Sequence, residues 1–258
     1  MTDRNDSALP MDAFRRLLRP DFVRTFVERD LRRVVSGEAP ATKDAARGQL
    51  RLIATDGLDL RARIVRPGEQ LARSVVTLTR NTLVGNAGRE AFALRCWSVP
   101  PGVANDVFDP AVRIAADGDV PLAPGEARAF HAGTQAYDIV PQAGAAVVLT
   151  AAGPRSAALA WHYDRATRRP VRAEPAHKEW LLLRELLAFA ELLGDTALLP
   201  AIAEVADHPS HFVRWAAAKA AYRIEPGASL AALRALADDP HPQLRGAALR
   251  LLARSAAS

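Results

Sequence analysis

Cysteine is almost absent: Cys96 is the only one in 258 residues. A lone thiol excludes an internal disulfide and a cysteine-rich zinc site. Lysine is nearly as scarce. Lys43, Lys178 and Lys219 are the only lysines among 34 basic residues, so the net charge of +5 is carried by arginine. Long apolar runs are missing too, although 49% of the residues are hydrophobic. No stretch is long enough to cross a bilayer, and the start, MTDRNDSALPMDAF, is charged and lacks the apolar core of a leader. The chain therefore reads as cytoplasmic, with no membrane partner. Also missing are Gly-x-Ser-x-Gly, a Walker loop and a dinucleotide fingerprint, each of which would have announced its own chemistry.

The arginine excess invites a nucleic-acid reading, so its distribution matters. Only 165–172 (RATRRPVR) concentrates it, through Arg165, Arg168, Arg169 and Arg172. A phosphate-tracking groove needs a clustered basic face, with aromatics where bases stack. Four arginines on one loop read as a solvated linker, and no nucleic-acid partner is expected.

Three periodicities divide the chain. Over 11–35, Phe14, Leu17 and Leu18 and then Phe22, Val23, Phe26, Val27, Leu31 and Val34 recur at helical spacing. Pro20 suits the first turn of a second helix, and Ser36-Gly37 ends it. Over 48–172 the period drops to two. QLRLIAT and LDLRARIV flank Asp56-Gly57 as a hairpin. SVVTLT, AFALRCWSV, EARAFHA, AYDIV, AAVVLTA and AALAWHY follow as short strands. The interruption at 100–121 reads as a covering loop with a short strand at 112–114. From about residue 175 the chain is helical, opening with HKEWLLLRELLAFAELLG and its closing Gly194. The expected architecture is α+β and multidomain: an N-terminal helical arm (1–47), an antiparallel β-barrel or sandwich (48–172), and a helical stack (173–258).

The helical part contains a repeat. Asp207-His208-Pro209-Ser210-His211-Phe212-Val213-Arg214-Trp215-Ala216-Ala217 aligns at an offset of 31 with Asp238-Asp239-Pro240-His241-Pro242-Gln243-Leu244-Arg245-Gly246-Ala247-Ala248. The aspartate would cap a helix, the proline occupy its first turn, the aliphatic residue face the core, and the alanine pair admit a close neighbour. The phrase resembles the HEAT-like repeats, paired helices that bury their apolar faces only by stacking. That resemblance implies that Arg214 and Arg245 pair with aspartates at neighbouring helix starts, and that the stack presents a surface to a protein partner. His208 and His211 read as capping or solvent-facing, since no third metal ligand stands near them in sequence.

In the β region, glycines stand in two frames. Gly125 is followed after five residues by His131, then Ala132, Gly133 and, three on, Ala136. Gly68 is followed by Ser74, Val76, Asn81 and Gly88. This resembles the cupin family of small β-barrels, whose second motif has proline at the position of His131 and a metal-binding histidine at that of Ala136. The resemblance assigns the other three ligand positions to Ser74, Val76 and Asn81. Val76 and Ala136 have no donor atom, and Ser74 and Asn81 are poor transition-metal ligands. A metal-free, cofactor-free pocket is therefore expected.

Some metal-free cupins are epimerases that use a His base, an Asp partner and a Tyr acid. His131, His162 and Asp164 are the catalytic candidates, with Tyr137, Asp138 and Tyr163 beside them. Alternation puts Tyr137 and Asp138 on opposite faces of one strand, whereas His162 and Asp164 share a face. Cys96, in an apolar strand, reads as buried and inert. Three readings stay open: a non-catalytic binding protein engaging a protein partner, a small-molecule sensor, and a metal-free isomerase. A homodimer, helped by the Phe22/Phe26 stripe, is compatible with each.

Overall fold

A computed structural model describes residues 9–40, 43–46, 48–103, 106–107 and 109–255, the backbone alone at 43–46. The chain forms two compact units, one of 1–105 and 109–174, the other of 106–108 and 175–258.

The first unit opens with helices α1 (Met11–Leu17) and α2 (Pro20–Val35), with Pro20 in the first turn of α2. Twelve strands follow: β1 (Lys43–Ala46), β2 (Gln49–Ala54), β3 (Asp59–Val65), β4 (Ser74–Val76), β5 (Arg80–Asn86), β6 (Phe92–Ser98), β7 (Ala115–Leu122), β8 (Ala127–Phe130), β9 (Gln135–Pro141), β10 (Ala146–Arg155), β11 (Leu159–Asp164) and β12 (Pro170–Pro175). They form a six-stranded sheet ordered β1-β2-β3-β10-β5-β8 and two three-stranded sheets, β12-β11-β4 and β7-β6-β9.

Side-chain alternation explains the layering. From β3, β5 and β10, Val65, Val84 and Val148 point into one core with Phe92, Leu94, Leu122 and Phe130. The intervening Leu60, Ala62, Leu83, Leu149 and Ala151 face the other way, onto Phe14 of α1 and Leu18 just past its end. The large sheet is thus buried on both sides, and α1 is part of the core. Gly85 makes that seat. A Cβ there would stand 2.6 Å from Leu18 Cδ2 and 2.9 Å from Phe14 Cε1.

Four expectations change. The β-barrel is not closed. At 77–79 the chain serves three sheets in turn: Thr77 N donates to Trp161 O, Leu78 N to Gln135 O, and Thr79 O accepts from Ser156 N. Single bonds there take the place of a ladder. The 100–121 interruption contains a full strand, β7, where only 112–114 was expected. It is an exposed edge strand, so AADGDVPL shows no apolar alternation, and Pro121 is tolerated there because an edge has a free side. Gly118 (φ +92°) lies at the bulge where β7 slips against Cys96 and Trp97. Finally, 170–175, half of it taken for an arginine-rich loop, is a strand, and 43–46, expected in the helical arm, pairs with β2.

In the β2–β3 hairpin Asp59 is 6% exposed and receives two bonds from each of two arginines. Arg51 donates at 3.1 and 3.2 Å and Arg61 at 3.0 and 2.8 Å. Burial raises the Asp59 pKa, but the hydrogen bonds from Arg61 and Arg51 outweigh it and hold the carboxyl below its ordinary value. Asp59→Asn is expected to cost about 1–3 kcal/mol by chemical denaturation. Because the folded pKa is depressed, the stabilisation is complete above the ordinary carboxylate value. It fades as pH falls below that value, so the wild-type advantage over the variant should shrink in acid.

Candidate functional sites

The glycine frame is real, and it shapes turns. Gly68, Gly125 and Gly133 have φ of +80°, +83° and +73°, the left-handed region that favours glycine. A Cβ at Gly88 would meet Val147 N at 2.9 Å. The two motif segments are laced together, since Gly133 N donates to Leu78 O and Leu78 N to Gln135 O. Within that frame Asn81 Oδ1 accepts from Ala132 N at 2.9 Å, which holds the turn. Ala136 is fully buried and faces Trp97 in register. Val76 is exposed across from His162, and Ser74 stands across from Asp164.

The catalytic candidates do not converge. His131 is exposed on a turn, where its backbone N–H donates to Gln135 Oε1. Tyr137 packs on Phe130 (4.7 Å between ring centroids), and burial pushes its hydroxyl up to about 12. Asp138, on the opposite face, takes Arg165 bidentately at 2.7 and 3.0 Å and the Trp97 indole N–H at 3.1 Å. Arg165 is therefore a structural cation. Asp164 accepts from the Thr167 N–H and hydroxyl, closing the turn before β12. His162 is 8% exposed, and its Nε2 lies 3.3 Å from Glu174 Oε2, so its neighbouring carboxylate is not Asp164. Neither ring nitrogen of His162 has a hydrogen-bond partner of good geometry. Burial raises the Cys96 thiol, which keeps it protonated.

The second unit comprises α3 (Lys178–Leu193), a 3₁₀ turn (Thr196–Leu198), α4 (Leu199–Glu204), α5 (His211–Ile224), α6 (Pro226–Leu236) and α7 (Pro242–Ser255). Gly194 ends α3 at φ +66°. The repeat phrase behaves as its spacing implies at the core positions: Val213 and Leu244, Ala217 and Ala248 are buried as equivalent pairs. The arginines are equivalent too. Arg214 Nη1 binds the carbonyls of His208 and Pro209, and Arg245 Nη1 those of Asp239 and Pro240.

For Arg214 the aspartate at a neighbouring helix start is present. Asp207 and Asp238 are exposed, and the residue gripped by Arg214 is Asp239, at 2.9 and 2.8 Å. Asp239 also accepts the His241 N–H. Burial raises its pKa, but Arg214 and that N–H outweigh burial and hold it low. Alignment at an offset of 31 matches Asp207 to Asp238 and thereby hides Asp239, which stands one residue on.

The histidines gather in this unit. His208 Nδ1 accepts from Ser210 N, a capping role, and its ring meets Trp180 edge-on at 5.4 Å. His211 stacks on His241 with centroids 3.6 Å apart and planes 6° from parallel. Burial, and then His241 beside it, hold the His211 imidazole down at about 4. Asp106 completes the group. No spacing in the sequence joins residue 106 to residues 211 and 241, so this cluster was invisible there.

The second unit also exposes apolar surface. On α3, Leu182, Leu186, Phe189 and Leu193 form one stripe at helical spacing, with Leu186 53% and Phe189 64% exposed. The stripe borders a groove of about 350 Å³ between α3 and α4, lined with Leu183, Leu187, Leu198, Ile202 and Val205. By contrast, Phe22 of α2 packs against the core and meets Phe26 edge-on, while Val27, Leu31, Val34 and Val35 remain exposed. Among the described residues no helix is long and apolar enough to cross a membrane.

Residues 176–253 match the model of the HEAT repeats. Among solved structures, the chain is similar to a sugar phosphate isomerase of the cupin superfamily from Silicibacter pomeroyi (17% identity, 48% of this chain and 76% of that one, TM-score 0.30). It is also similar to a cupin-superfamily protein from Desulfitobacterium hafniense (17%, 43% and 84%, TM-score 0.29). KdgF from Halomonas sp. is a third such structure (16%, 45% and 88%, TM-score 0.27). Likeness at these scores carries nothing about chemistry. No curated protein matches. The protein combines an antiparallel β unit with C-terminal HEAT-like helices.

The Arg214 clasp yields a test. Arg214→Ala leaves buried Asp239 and two carbonyls without their partner and is expected to cost the helical unit about 3–5 kcal/mol. Arg245→Ala removes only carbonyl bonds from an exposed side chain and should cost about 1 kcal/mol or less. Urea titration of both variants reads the difference.

Proposed function

We propose that the protein is a non-catalytic binding protein that engages a protein partner through its HEAT-like helices. One observation carries the reading: the apolar groove between α3 and α4 and its exposed rim of Leu186, Phe189 and Leu193. Soluble proteins seldom leave such a contiguous patch uncovered unless it meets something. Near its middle the rim's charges are Arg184 and Glu185, which pair with each other, so the surface offers no net charge to a ligand. A neutral apolar groove along a helix suits the apolar face of a partner's helix. HEAT repeats are in general protein-interaction elements, which supports the same reading.

A second reading rests on His162. A buried imidazole near Glu174, with both ring nitrogens unbonded, has the composition of a base and its partner, and it would serve a small-molecule sensor or a metal-free isomerase. His131 and Asp164 contribute less to it, one exposed on a turn and the other spent on Thr167. Val76, across from His162, and Ser74, across from Asp164, would then stand beside that imidazole. The binding reading is preferred because the groove is formed without any rearrangement, while the catalytic candidates stand apart.

Leu186→Glu with Phe189→Glu alters only exposed positions and should change stability by about 0.5 kcal/mol or less. Affinity capture from the native cells, quantified by mass spectrometry, should show proteins retained by the wild type and lost by the double variant. An unchanged set would exclude the groove as the binding face. If light scattering shows a dimer that the variant dissociates, the occupant is a second copy.

A further inference from the structure

Asp106, His211 and His241 are used by neither reading above. Each brings one ligand atom to within 4.8 Å of the other two. The residues lie far apart in sequence: His211 is the first residue of α5, and His241 immediately precedes α7. His241 is the fixed member, 6% exposed. Its Nε2 lies 3.0 Å from the main-chain oxygen of Asp106. That oxygen can only accept, so Nε2 carries the proton and Nδ1 the lone pair. Nδ1 is buried and has no hydrogen-bond partner. A buried acceptor left in that state is destabilising unless something fills it. A histidine that donates one ring N–H to a carbonyl and holds the other nitrogen bare has the arrangement of a metal-ligating imidazole.

We propose that Asp106, His211 and His241 bind a divalent transition-metal ion of the zinc type, with water completing the shell. The donor set selects the class: two imidazoles and one carboxylate suit zinc and its neighbours, whereas calcium and magnesium take oxygen ligands. With bonds of about 2.0–2.1 Å, tetrahedral ligand atoms stand roughly 3.4 Å apart. The ligand atoms, within 4.8 Å of one another, must therefore draw together. That closure falls to the groups free to move. Asp106 is exposed, so its carboxylate can swing toward Nδ1 of His241, and His211 is half-buried, so its ring can tilt out of the parallel stack. The bound ion would clip residue 106 to the starts of α5 and α7, a staple for a short stack. This inference is independent of the partner-binding reading, and either can fail alone.

The test uses the full chain, stripped with a chelator and titrated with Zn²⁺ by calorimetry. Metal content is measured after dialysis, and Co²⁺ is substituted to read the coordination from its absorption. One Zn²⁺ per chain is expected, with a rise in Tm. His241→Ala, His211→Gln and Asp106→Asn should each weaken binding by at least about tenfold. Asp106→Asn changes an exposed side chain, so it decides the matter even if His241→Ala fails to fold. Absence of stoichiometric uptake overturns the proposal, as does uptake that all three variants leave unchanged.

Discussion

The helical unit hangs on one ion pair. Arg214 reaches from α5 to Asp239 at the turn before α7, and with its remaining nitrogen it ties down the carbonyls that precede its own helix. One guanidinium thus fixes two helix starts, and the apolar packing of Val213, Ala217, Leu244 and Ala248 is built around that spacing. Arg245 repeats the carbonyl half of the clasp, on Asp239 and Pro240. A stack this short has few neighbours to bury its outer faces against. The apolar rim of α3 is a direct consequence, and it is also the feature that suits the unit to meeting another protein.

In the β unit the glycines of the frame serve turns and close approaches. Two side chains of that frame have structural contacts: Ala136 lies in the core, and Asn81 holds the turn at Ala132. Asp138, the most elaborately bonded carboxylate of the unit apart from Asp59, is spent on Arg165 and Trp97.

Much of this was legible in the sequence, for physical reasons that also mark where legibility stopped. The hairpin around Asp56-Gly57, Pro20 opening α2, Gly194 ending α3 and the buried aliphatics of the repeat all follow from local preferences, which a sequence displays. The strand β7 was not legible because it is exposed at an edge and shows no alternation. Asp239 was hidden by its neighbour Asp238, since one-residue ambiguity in a loop leaves no periodic trace. The open sheet at 77–79 and the cluster of Asp106 with His211 and His241 depend on long-range placement, for which the sequence offers no signal. The opposite facing of Tyr137 and Asp138 was legible, because alternation along a strand is local.

The central claim is that the molecule works through the α3 surface and not through the glycine-frame positions of the β unit. Site-specific photocrosslinking in the native cells tests it most directly, with a photoreactive residue at Leu186 in one variant and at Val76 in another. The account predicts a discrete protein adduct from position 186 and none from position 76. An adduct formed at position 76 alone would contradict it and return the function to the β unit.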